Sequence, residues 1–231
     1  SIQLANTRYS ILQEEKLLRV FLAQKPAGLI VTGIDQTPES RALMEAADCP
    51  IVQLMEIGDN PVDMMIGFSH ADACHAAISH LLDQGCRRIA FLGARMDPRV
   101  QRRFLGYQQT MRDAGLLDPR LIVTTPLPTS VTLGGTLFAD LLAKAPDTDA
   151  VFCANDDLAL GVLFECRRRQ IAVPEQILIS GFNDLEFMAS AVPTLTSVRT
   201  NRYEMGSNAA RMVIEAMEGR RPEQRVVDLG F

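Results

Sequence analysis

Apolar positions along the chain follow two alternating rhythms. Short unbroken runs, among them Leu29–Ile30–Val31, Ile51–Val52, Ile89–Ala90–Phe91–Leu92 and Ala150–Val151–Phe152–Cys153, have the length of strands buried on both faces. Between them lie longer stretches with helical spacing. Ile11, Leu12, Leu17, Leu18, Phe21 and Leu22 form one stripe, with Glu14, Glu15, Lys16 and Arg19 on the other side. In chain order the pattern predicts a strand at Ile2–Asn6, a helix at Tyr9–Gln24, a strand at Gly28–Gly33, a helix at Pro38–Ala47, and strands at Ile51–Leu54 and Met65–Phe68. A helix from Ser69 or His70 to Gln84 and a strand at Arg88–Gly93 follow.

The second half repeats this grammar, with helices at Val100–Gly115, Thr132–Lys144, Leu158–Gln170 and Tyr203–Glu218. Its strands are expected at Leu121–Val123, Ala150–Cys153, Gln176–Ser180, Thr196–Val198 and Arg225–Leu229, with a turn at Gly181–Asp184. Gly85, Gly115 and Gly219 stand where helices end. Strand–helix alternation requires a mostly parallel sheet covered by helices, an α/β fold. At 231 residues, two lobes fit domain-size limits better than one, with hinges near Gly93–Pro98 and Val198–Asn201.

The junction Ala150–Gly161 shows how such a unit presents chemistry. An apolar strand stops at Asn155–Asp156–Asp157 and a helix begins at once. Asn155 is placed to cap it, and both aspartates sit at the positive end of its dipole. In open α/β sheets the ligand lies outside the carboxyl ends of the strands, where Asn155 stands.

Composition narrows the function. An apolar content of 47% supplies a core, yet no run approaches the roughly 20 residues of a membrane span, and no secretory signal opens the chain. The net charge of −5 argues against this stretch being a nucleic-acid surface. Five scattered cysteines without a Cys-x-x-Cys pair fit a reduced, cytoplasmic protein. No phosphate loop, nucleophile elbow or metal motif is present. His70, His75 and His80 fall on different helix faces, and the adjacent Asp156 and Asp157 diverge, so neither a metal site, a cofactor nor an enzyme is expected.

Five segments in register then carry a resemblance. Phe68–Asp72, Arg103–Tyr107, Ala154–Asp156, Ile179–Asp184 and Pro193–Val198 together resemble the effector-binding core of the LacI/GalR family of bacterial transcription regulators. The chain is also similar to the gluconate-utilisation repressors of that family. The resemblance implies two periplasmic-binding-protein-like lobes of type I, here 1–94 with 201–223 and 95–200 with 224–231, holding a small sugar or sugar acid in their cleft. It further implies a homodimer and operator DNA as partners, the latter through an N-terminal helix-turn-helix headpiece not in this sequence. The family's first core strand and helix also have no counterpart, so the sequence is expected to be part of a longer protein. A periplasmic sugar-binding protein of a transporter shares the fold and stands as the alternative, which the scattered thiols disfavour.

Within this frame Arg103 matches the family arginine that reaches the ligand. A guanidinium fork suits paired hydroxyls or a carboxylate. Asn155 either donates to a ligand hydroxyl, caps its helix, or does both. Asn183 stands where sugar-binding relatives usually carry aspartate. Removing that charge spares an anionic ligand about 4 Å away a repulsion of roughly 1 to 4 kcal/mol, which favours an aldonate such as gluconate; the other reading is that Asn183 serves the turn. Arg99 adds positive charge. Phe152 is either an apolar wall for a sugar ring or a core residue. Asp72 is either an effector contact or a helix-dipole partner. Glu56, just after its strand, completes the set, though a carboxylate there opposes an anionic ligand unless it binds hydroxyls or pairs with an arginine.

Overall fold

The computed structural model describes residues 1–231. The elements are α1 (Ile11–Ala23), β1 (Leu29–Thr32), α2 (Pro38–Glu45), β2 (Ile51–Leu54), β3 (Met64–Gly67), α3 (His70–Asp83), β4 (Ile89–Ala94) and α4 (Pro98–Asp113). They continue as β5 (Ile122–Thr125), α5 (Val131–Lys144), β6 (Ala150–Cys153), α6 (Asp156–Arg169), β7 (Leu178–Asn183), α7 (Glu186–Ser190), β8 (Thr196–Arg199), α8 (Arg202–Met217) and β9 (Val226–Asp228). No helix is long and apolar enough to cross a membrane.

The chain divides into two compact units, Ser1–Ser69 with Asn201–Gly230, and His70–Thr200 with Phe231. The first carries a parallel sheet of order β1-β2-β3-β9, and the second a parallel sheet of order β5-β4-β6-β7-β8. Two parallel sheets flanked by helices are what the alternating pattern predicts.

The division differs from the sequence expectation at two places. Residues 70–94 belong to the second unit, because β4 pairs with β5 and β6 and α3 packs on α4. Residues 224–230 belong to the first, because β9 pairs with β3 through Met65↔Val226 and Gly67↔Asp228. Both errors have one cause: strand partners distant in sequence leave no local signal. Ile2–Asn6, expected as a strand, is exposed and makes no ladder, since β1 pairs only with β2. β7 runs three residues further than expected, because Gly181, Phe182 and Asn183 pair with Ser197, Val198 and Arg199 of β8.

In the second unit the core lies between β4, β6 and their helices. Ala90, Leu92, Val151, Cys153, Phe138, Leu158 and Val162 are all covered. Helices there approach backbone to backbone. A Cβ at Gly106 of α4 would stand 2.4 Å from the Ala71 carbonyl oxygen of α3, and one at Gly161 of α6 would stand 2.0 Å from that of Val131 in α5. The smaller core of the first unit gathers Leu18, Val31, Met44 and Ile51. Gly85, Gly115 and Gly219 take positive φ just past their helices, as expected.

Candidate functional site

The residues with most functional promise converge in the second unit, at the carboxyl ends of β6 and β7. Asp97 caps α4 by accepting from the Arg99 and Val100 amides, and Pro98 opens the helix. This sets Arg103 on the buried face of α4, where the side chain is almost fully covered. Its Nε–H donates to His70 Nδ1 at 3.0 Å, and Nη1 donates to the Ala154 carbonyl, the last residue before the α6 cap. The guanidinium carbon lies 3.7 Å from the centroid of the Phe182 ring. A cation over an electron-rich ring face is attracted by its quadrupole, the more so when both are desolvated.

His70 completes the support. Its ring stacks on Phe182 at 5.6 Å between centroids, and its Nδ1 accepts from Arg103, which holds the guanidinium in place. From the sequence His70 is one of three histidines on different helix faces, with a ligand or capping role left open. The missed signal is its place at the first position of α3, facing a helix whose residues lie 33 positions later.

Asn155 caps α6: its Oδ1 accepts from the Leu158 amide at 3.1 Å, while its Nδ2 donates to Thr129 Oγ1 at 3.1 Å. The capping reading therefore holds, and the cap places the amide group at the end of β6. Asn183 ends β7 with φ 119°, and Asp184 follows with φ 54°. Two successive non-glycine residues in this region cost of order 1–3 kcal/mol each and persist only where surroundings enforce them. The enforcement comes partly from Asp156. Its carboxylate is fully buried; Oδ1 accepts from Ser197 Oγ at 2.6 Å and Oδ2 from the Leu185 amide at 2.7 Å. Burial pushes its pKa up, opposed by these bonds and by one from the Phe182 backbone.

Phe152 is a core residue of β6, stacked on Phe91 at 5.8 Å and meeting Phe182 edge-on at 6.4 Å, so it stands one ring away from Arg103. Phe91 also contacts the buried Tyr107, whose hydroxyl donates to the Ile89 carbonyl at 2.9 Å. Arg99, one helical turn before Arg103, has its Nε 3.8 Å from Asp97 Oδ1. Asp72 lies elsewhere on the unit. Two helical positions after His70 turns its side chain about 200° away, and it lines a groove of about 440 Å³ between α3 and α4 with His75, Gln109 and Arg112. Glu56 is buried in the first unit, with its backbone against Gly67, where a Cβ would stand 2.4 Å from Glu56 N.

The arrangement within the second unit can grip a small polar molecule with one buried guanidinium, flanking amides and an aromatic wall. Known proteins similar to this chain include regulators of transcription. The family of periplasmic binding protein-like domains matches residues 78–230. The HTH-type transcriptional regulator GntR of Pseudomonas aeruginosa is 42% identical over 230 residues, covering all of this chain and 67% of that regulator. The crystal structure of the transcription regulator GntR from Chromobacterium violaceum superposes with a TM-score of 0.96 at 38% identity, covering all of this chain and 85% of that one. A LacI family regulator from Silicibacter pomeroyi follows with a TM-score of 0.93 at 29% identity, covering 98% of this chain and 68% of that one. With these likenesses spanning both units, the chain belongs to the periplasmic binding protein-like domain family and is the effector-binding core of a LacI-family transcriptional regulator.

Proposed function

We propose that this core senses an aldonate of the gluconate type, bound through Arg103, Asn155 and Asn183, and that binding controls an attached operator-binding headpiece. The observation that carries the reading is the Arg103 guanidinium, buried and fixed over Phe182 by His70 and Ala154 in the same unit as both asparagines. A fork of donors in a desolvated place suits a carboxylate or a pair of hydroxyls. The neutral Asn183 then separates these ligands, since an aspartate there would repel an acid. Asn155 and Asn183 supply amide donors and acceptors for polyol hydroxyls. Arg99 adds positive charge on the same helix, and Phe152 backs the aromatic wall. Asp72, whose side chain lines the α3–α4 groove, and Glu56, buried in the first unit, are left out of this set.

Control follows from linkage. An effector that binds one conformation more tightly shifts the population toward it, and the operator changes effector affinity by the same factor. The protein acts in this reading as a homodimer that brings two headpieces to operator half-sites. Titration calorimetry with D-gluconate, D-glucose and D-ribose tests the ligand class. Gluconate is expected to bind tightest; a clear preference for either neutral sugar overturns the proposal.

A further inference from the structure

We infer that Asp156, acting with Ser197, is a positioning residue of the effector site: it holds the left-handed turn from which Asn183 projects. The inference rests on the proposed function and deepens it, because neither residue belongs to the ligand-contacting set. The two oxygens of Asp156 are turned toward the β7–α7 connection rather than toward solvent. Oδ2 takes the Leu185 amide directly. Oδ1 takes the Ser197 hydroxyl, and Ser197 Oγ in turn accepts the Asp184 amide at 3.0 Å. One buried carboxylate thus fixes two consecutive amides just beyond Asn183, one of them through a hydroxyl. Thr200 Oγ1 adds a bond to the Asn183 carbonyl at 3.3 Å.

The turn needs such an anchor. Asn183 and Asp184 both take positive φ, a pair of conformations that would relax if the Asp184 and Leu185 amides were released. The space around the carboxylate is shaped to it as well. A Cβ at position 181 would stand 2.3 Å from Asp156 Oδ1, so only glycine lets β7 pass this close. Asp156 is also the first residue of α6, directly after the cap Asn155. One backbone step and one network therefore tie the two site asparagines, which come from different strand ends, into a single piece.

A purely structural role would predict lost stability with unchanged recognition. The test uses the whole chain with Ser197→Ala, Ser197→Thr and Asp156→Asn, read by D-gluconate calorimetry and by hydrogen exchange of the Asp184 and Leu185 amides. Ser197→Ala is expected to weaken gluconate about tenfold, the worth of a hydrogen bond to a charged group, and to speed exchange at Asp184. Ser197→Thr, which keeps the hydroxyl on a β-branched residue suited to β8, restores both. Asp156→Asn has the larger effect on both readouts if it folds, and the serine pair decides if it does not. Faster exchange in Ser197→Ala with unchanged gluconate affinity overturns the positioning role. A wild-type chain that binds none of D-gluconate, D-glucose and D-ribose overturns the functional reading itself, and the inference falls with it.

Discussion

The two sheets share one parallel grammar, but the helices on them meet differently. In the second unit every side chain of β4 and β6 is buried, and their helices seal against each other at glycines. In the first unit β3 is buried as completely, but Gly206, the one glycine within its helices, meets nothing within 4 Å. Arg103, Asn155 and Asn183 all spring from the unit whose helices seal backbone to backbone. Holding a buried cation and two amides in fixed places requires neighbours that cannot yield, and close-packed strand ends provide them.

The largest expected effect tests whether recognition resides in the second unit. Arg103→Ala should weaken gluconate about a hundredfold, because it removes charge-assisted hydrogen bonds from a desolvated place, and Arg103→Lys should recover only part of that without the fork. Calorimetry at a temperature where each variant is folded measures this. Wild-type affinity in Arg103→Ala would move the site away from α4.

Next comes a glycine pair, one in each unit, whose effects should have opposite signs. Gly106→Ala forces a methyl into the Ala71 carbonyl and should cost about 1–3 kcal/mol. Gly206→Ala, in α8 of the first unit with nothing within 4 Å, should gain about 0.5–1 kcal/mol from helix propensity. Denaturant titration decides, and equal effects would erase the difference in helix packing drawn above.

Asn183→Asp should lower gluconate affinity roughly tenfold while changing that for D-glucose little, since only the acid meets a new like charge. A uniform loss for both ligands would reduce Asn183 to a turn residue.

The smallest effect is chemical. At pH 8 a disulfide reagent should modify Cys49, the half-exposed thiol of the first unit, well before Cys74, Cys86, Cys153 or Cys166 of the second. Burial raises the Cys49 pKa, so its reaction should quicken as pH rises from 8 to 9.5 and more thiolate forms. Burial pushes Cys166 to about 12, and it stays silent over that range. Mass spectrometry of the modified peptides reads the order.

Much of this architecture could be read along the chain because buried parallel strands and amphipathic helices write their periods locally. The cap at Asn155 and the glycine stops were visible for the same reason, whereas the cap at Asp97 was not read. What escaped was non-local. β9 looks like any short apolar run, and only its ladder to β3 assigns it to the first unit. The five-residue α7 is too short to show a period. Of the proposed site, Arg103, Asn155 and Asn183 were singled out through motif register, whereas the roles of His70 and Asp156 depend on which neighbours the fold brings to them. A buried histidine and a helix-start aspartate look ordinary until Arg103 and Ser197 are placed beside them.

Tyr107 lends the second unit an optical signature. The chain has no tryptophan and three tyrosines, of which Tyr9 and Tyr203 are largely solvated, while Tyr107 is sealed against Phe91 with its hydroxyl tied down. Near-ultraviolet dichroism around 275 nm therefore arises mainly from one asymmetric ring. Followed beside the far-ultraviolet backbone signal, it reports the melting of one half of the molecule without any label.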